Sequence, residues 1–150
     1  MTAASDPVVI VSAARTPLGR FMGDLSSFSA HKLGSHVIGA ALERAKLAPE
    51  RIGEVLMGCV LPAGQGQAPA RQAARGAKLP DATGATTIDK VCGSGMKATM
   101  LAHDIINAGS AKHSAHLANA QKRANKLECT SHAIAWTRSC SCNRRSKTWP

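Results

Sequence analysis

Thr86-Thr87-Ile88-Asp89-Lys90-Val91-Cys92-Gly93-Ser94-Gly95-Met96-Lys97-Ala98 is the stretch that decides the fold of this chain. Thr86 to Val91 is a β-like run, and Met96 to Ala108 reads as a helix that Gly109 would end. Cys92 therefore falls at a strand-to-helix corner. A cysteine there faces the free N–H groups and partial positive charge of the first helical turn, which favour a thiolate. The thiolate is the form that acts as a nucleophile. Gly93 and Gly95 let a substrate approach the backbone closely. A small buried apolar residue is the bland alternative for such a cysteine, so the rest of the chain has to discriminate.

Outward from that corner, strands and helices alternate. Pro7 to Ala13 is a continuous β-branched run, expected as a strand buried on both faces. Ser29 to Leu47 has Leu33, Val37, Ala41 and Ala45 on one helical face, with Ser29 placed to cap it. Pro49 suits the first turn of a further short helix, and Glu54 to Leu61 returns to strand. Pro62 to Gly66 is loop, Ala68 to Ala77 a small-residue helix breaking near Gly76, and Pro80 to Gly84 a turn. Alternation of this kind implies parallel crossover units.

Three segments, in order, resemble the N-terminal part of the thiolase family, the acetyl-CoA acetyltransferases and 3-ketoacyl-CoA thiolases. Val8-Val9-Ile10-Val11-Ser12-Ala13-Ala14-Arg15-Thr16-Pro17-Leu18-Gly19-Arg20-Phe21 resembles the family's opening strand and following loop. Val55 to Leu61 with Gly64-Gln65-Gly66-Gln67-Ala68-Pro69-Ala70-Arg71-Gln72 resembles its second strand and helix, and Asp89 to Ala98 its active-site segment. The resemblance holds to about Ala111. It implies an α/β, thiolase-like fold, here an incomplete N-terminal half with a parallel-type sheet and covering helices over residues 7–111.

The resemblance also implies a reaction. Cys92 would take an acyl group from an acyl-CoA as an S-acyl enzyme and pass it to a second acyl-CoA in a Claisen condensation, or run the reverse thiolysis. Acyl-CoA and CoA would be its partners as substrates, with no separate cofactor, and the intact family is homo-oligomeric. The activating histidine and the second, acid/base cysteine of the family come from its C-terminal half, and no matching motif for either stands in this chain. By the same resemblance Gln65 to Gln72 lies near a dimer interface, and Arg15 and Thr16 keep a structural role in their loop.

Past Ser110 the chain changes character. Residues 1–110 hold 11 Lys+Arg against 8 Asp+Glu, a net of +3; residues 111–150 hold 8 against one, a net of +7. All 13 glycines and every valine and aspartate precede position 111, whereas Trp136, Trp149, Cys129, Cys140 and Cys142 follow it. Residues 112–150 are accordingly expected as an unrelated, irregular basic tail, largely disordered, with a short helix possible over Leu117 to Leu127. The strand that the family places next would then be missing, and the domain marginal and prone to aggregate. A shifted reading frame in the coding DNA would produce such a break.

Other candidates carry less. His103 lies eleven positions beyond Cys92 on the same expected helix, about 16 Å along it, and His31 and His36 read as packed or solvated. Asp89 and Lys90 read as a solvated charge pair at the strand edge. Gly93 and Gly95 shape a loop more plausibly than they bind phosphate. Cys129, His132, Cys140 and Cys142 match no standard zinc spacing, so no metal site is expected. Lys122, Arg123, Lys126, Arg138, Arg144, Arg145 and Lys147 match no nucleic-acid module, so no specific nucleic acid is expected. Met1 to Pro7 lacks a signal-peptide pattern and no apolar run approaches the ~20 residues of a membrane span. The expectation is no membrane contact, a cytoplasmic location, and free thiols at Cys59 and Cys92.

Overall fold

The computed structural model describes residues 7–20, 22–118 and 132–138. In chain order the elements are β1 (Val8–Arg15), α1 (Ala30–Ala45), a single 3-10 turn (Pro49–Arg51), β2 (Glu54–Gly58), α2 (Pro69–Gly76), β3 (Gly84–Ile88), α3 (Ser94–Asn107), β4 (His113–Ala118) and β5 (His132–Arg138). The strands form one sheet in the order β1-β5-β4-β2-β3. β2 is flanked in parallel by β3 and β4, and β5 runs antiparallel to both β4 and β1. The carboxyl ends of β1, β2, β3 and β4 therefore share one edge of the sheet.

β2 is the centre of the core. Val55, Leu56 and Met57 are each at most 2% exposed, as a run of consecutive apolar residues must be when helices cover both faces. α1 and α2 pack on one face with Val37, Ile38, Ala41, Leu42, Ala70, Ala73 and Ala74. α3 packs on the other, where Ala98 and Ala102 meet Leu56 with Ile88, Leu101 and Ile105 alongside. α1 and α2 approach closely because Gly76 has no side chain: a Cβ there would run into Ser35 Oγ.

Most expected elements form, with differences at their ends. Leu33, Val37 and Ala41 are buried on α1 as the spacing predicts, and Ala45 is half-buried. Ser29 is the N-cap residue, but its hydroxyl pairs with His31 Nε2 at 3.1 Å rather than with the helix backbone. β1 forms but is not buried on both faces. It is an edge strand joined to β5 along one side, so Val9, Ile10 and Val11 stay exposed and Ala14 is its one buried residue. The run before Cys92 ends as strand at Ile88, and α3 begins at Ser94, two residues earlier than expected.

The larger correction concerns the segment after Ser110. Residues 113–118 and 132–138 are not irregular: they are β4 and β5, and β4 fills the place beside β2 that the sequence left empty. The physical reason is the demand of β2, whose unpaired amides and apolar faces are costly without a neighbour. His113-Ser114-Ala115-His116-Leu117-Ala118 has no β-branched residue, so pairing overrides local preference here. Leu117 and Ala118 of the expected short helix are strand; the remainder of that helix lies outside the described residues. No helix among the described residues is long and apolar enough to cross a membrane.

Candidate active site

The connections of the sheet decide where chemistry can sit. β2 leads to α2 on one face, while the neighbouring β3 leads to α3 on the other. Adjacent parallel strands whose connections part to opposite faces leave a crevice at their carboxyl ends, the usual ligand position in open α/β sheets. The loop after β2 starts with Cys59 and the loop after β3 carries Cys92, so both cysteines stand at the carboxyl ends of these two strands.

Residues 89–93 form a tight elbow. Gly93 N–H donates to the Lys90 carbonyl at 2.9 Å and Ser94 N–H to the Val91 carbonyl at 3.1 Å. Val91 N–H donates to Asp89 Oδ1 at 2.9 Å. Asp89 is exposed, but it is not merely a solvated charge: its carboxylate closes the turn. Val91 takes φ 46°, a left-handed value that a β-branched side chain adopts only under constraint. Cys92 follows as an exposed free thiol, one residue before the N-cap Gly93 of a 14-residue helix. The first-turn amides of α3 and its positive dipole end favour negative charge on an oxygen placed before the helix.

α3 reaches this position through a close backbone approach. A Cβ on Gly58 would lie 2.6 Å from Gly95 N and 2.7 Å from the Ser94 carbonyl carbon. Glycine at the end of β2 is thus what allows the start of α3 to rest on the strand. Ser94, 0% exposed, lies directly over this contact.

Cys59 is the counterpart of Cys92. It is fully buried, and its N–H donates to the Ile88 carbonyl at 2.9 Å, extending the β2–β3 ladder by one bond. Burial pushes its thiol pKa up and the nearby Asp89 carboxylate adds to this, against lowering contacts from Leu61 N–H and the Gln65 side chain. Of the two thiols at this edge of the sheet, Cys59 is enclosed and Cys92 is the accessible one.

The loop after β2 braces itself. Gln72 Nε2 donates to the carbonyls of Gln65 at 3.0 Å and Gln67 at 2.7 Å, and Gln65 Nε2 donates to the Leu61 carbonyl at 2.5 Å. Its sharp path uses positive φ at Gly64, Gly66 and Ala68. Of the histidines weighed from the sequence, His31 and His36 ride α1 on the opposite face of the sheet from α3. His103 sits far along α3, 3.3 Å from Asp104. Arg15 is exposed and Thr16 is 5% exposed at the end of β1. His132 opens β5, Arg138 closes it, and the other tail residues weighed for zinc or phosphate lie outside the described residues. Among the described residues no three His, Cys, Asp or Glu side chains gather as a metal site.

The sequence reading singled out Cys92 but missed Gly58, Asp89, Val91 and Ser94 as the parts that shape its elbow. A serine two positions after the cysteine and a glycine ending an apolar strand were the available signals.

Comparison with known proteins agrees with this arrangement. Residues 8–116 match the family model of the thiolase N-terminal domain. The chain is 60% identical over 105 residues to the acetyl-CoA acetyltransferase of Cupriavidus necator, covering 70% of this chain and 27% of that protein. It is 52% identical over 109 residues to the cytosolic acetyl-CoA acetyltransferase of Rattus norvegicus, covering 73% and 28%. The Acat5 thiolase of Ascaris suum, solved in complex with coenzyme A, superimposes with a TM-score of 0.72 at 39% identity, over 74% of this chain and 29% of that one. The chain spans about a quarter of the length of these relatives. A match of residues 8–116, most of the chain, to that family's N-terminal domain shows that it belongs to the thiolase family.

Proposed function

We propose that this chain is the nucleophile-bearing portion of a thiolase-type acetyl-CoA C-acetyltransferase and that Cys92 carries the acyl group. The exposed thiol just before the start of α3, at the carboxyl edge of the parallel strands, is the observation that carries this reading. Cys92 Sγ attacks the carbonyl carbon of an acyl-CoA, the oxygen taking negative charge beside the first-turn amides of α3. The carbon–sulfur bond to CoA then breaks, and CoA leaves with the proton given up by the Cys92 thiol. In the second half-reaction the α-carbanion of another acyl-CoA takes the acyl group from Cys92. The base that removes the α-proton is assigned to the part of the relatives' length that this chain does not span. The histidine that the family uses to activate the cysteine is assigned there too, so residues 1–150 by themselves are proposed to be inactive in turnover, with acylation of Cys92 the one step left to test.

A coenzyme A complex of the Ascaris suum thiolase supports acyl-CoA and CoA as the partners. Self-association is proposed with them, and no separate cofactor is. The cytosolic rat and mouse relatives support a cytoplasmic location, with the mitochondrial relatives of Xenopus and Danio rerio as its rival. A second reading, a non-catalytic fragment that only self-associates or pairs with an intact homologue, draws on the exposed Val91, Met96 and Met100 around the elbow. Incubation with acetyl-CoA, with released CoA measured by chromatography, separates the two. The first reading predicts up to one CoA released per chain and none from Cys92→Ala. Equal, trace release from both would leave the second.

A further inference from the structure

Ser94 opens α3 and is completely buried, yet its hydroxyl does nothing for the helix. Gly93 is the N-cap residue, and no side chain caps the first turn. The Ser94 hydroxyl turns back instead. It accepts the Lys90 N–H at 2.8 Å and donates to the Val91 carbonyl at 2.7 Å. These partners bracket the Lys90–Val91 pair, and Val91 is the member of the elbow held at φ 46°. A left-handed β-branched residue is strained and persists only where its surroundings over-determine it. A buried hydroxyl bonded in both directions to the flanking backbone supplies that constraint.

We propose that Ser94 is the positioning residue for Cys92: by pinning Lys90 and Val91 it holds the elbow in its strained turn and keeps the Cys92 thiol at the end of α3. This rests on the reading of Cys92 as the acyl-carrying nucleophile. Without the hydroxyl, Val91 relaxes toward negative φ, the next residue swings with it, and the thiol loses its place before α3. Val91 is 66% exposed, so its side chain serves no packing role that would explain its strained backbone.

The test is the rate of alkylation of Cys92 by iodoacetamide in the full chain, resolved by peptide mass mapping. Buried Cys59 serves as the internal report of unfolding. Ser94→Ala slows Cys92 about tenfold while Cys59 stays protected. Val91→Gly, which removes the cost of positive φ, restores Cys92 in the double variant Val91→Gly/Ser94→Ala to within about threefold of Val91→Gly alone. That pattern supports the proposal. An unchanged Cys92 rate in Ser94→Ala overturns it. So does a loss that Val91→Gly fails to repair, whether or not Cys59 has become reactive. Failure of acyl transfer would show as absent CoA release and leave this alkylation pattern as it stands, so the two ideas fail separately.

Discussion

Replacing Gly58 by alanine tests the link between the core and the elbow. The new methyl group would sit 2.6 Å from Gly95 N, 2.7 Å from the Ser94 carbonyl carbon and 2.9 Å from Gly95 Cα, all backbone atoms. Carbon contacts settle near 3.5–4.0 Å, so one side has to retreat by about 1 Å. β2 cannot: Val55, Leu56 and Met57 are buried, and the strand is paired along both edges. The start of α3 must move, taking Ser94 and the elbow with it. Overpacking of this kind costs about 2 kcal/mol, a fall in thermal midpoint of about 5–10 °C for a domain of this size. A misplacement of about 1 Å at a reacting group costs up to about 100-fold in rate. CoA release from acetyl-CoA should therefore slow at least tenfold in chains that circular dichroism shows to be folded, at a temperature below the lowered midpoint. A Gly58→Ala chain with an unchanged midpoint and an unchanged rate would refute the reasoning.

Gly39→Ala is the opposite case. Nothing lies within 4 Å of a Cβ in that position of α1, so thermal melting should show a gain of about 0.5–1 kcal/mol. Arg71 donates to the carbonyls of Thr83 at 2.6 Å and Asp81 at 2.7 Å, tying α2 to the turn before β3. Arg71→Ala should lose about 1–2 kcal/mol in urea unfolding, with little change in Cys92 alkylation. Cys59 has a raised folded-state pKa, so the unfolded chain gives up this proton first as pH climbs. Its contribution is whole below the ordinary thiol range and is lost as pH rises through about 8.5 and beyond toward the folded-state value. Unfolding midpoints measured from pH 7 to 10 should fall less steeply in Cys59→Ala than in the parent chain.

What the sequence reveals and what it hides divide by the range of the interaction. α1, α2, α3 and β2 are legible because their signals are local: apolar spacing on Leu33, Val37 and Ala41, Pro69 at a first turn, Gly109 after a last one. The place of Cys92 at a strand-to-helix corner is legible for the same reason, whereas its role rests on the resemblance of the longer stretch to a family. β4 and β5 are hidden because pairing with β2 and β1 makes them, and pairing is invisible in His113 to Ala118 or His132 to Arg138. The apolar run of β1 suggests full burial, and its edge position contradicts that through topology alone. Val91 is the sharpest case. A valine argues against a left-handed turn, and the residue that imposes the turn, Ser94, acts across three positions through a single hydroxyl.

The central claim is that Cys92 is acylated by acyl-CoA. Its most direct test is intact mass and peptide mapping of the whole chain after acetyl-CoA treatment, followed by hydroxylamine. The account predicts one acetyl group on the peptide containing Cys92, removed by hydroxylamine as a thioester is, and absent from Cys92→Ala. An adduct that persists in Cys92→Ala, or no adduct on a folded chain, would contradict it.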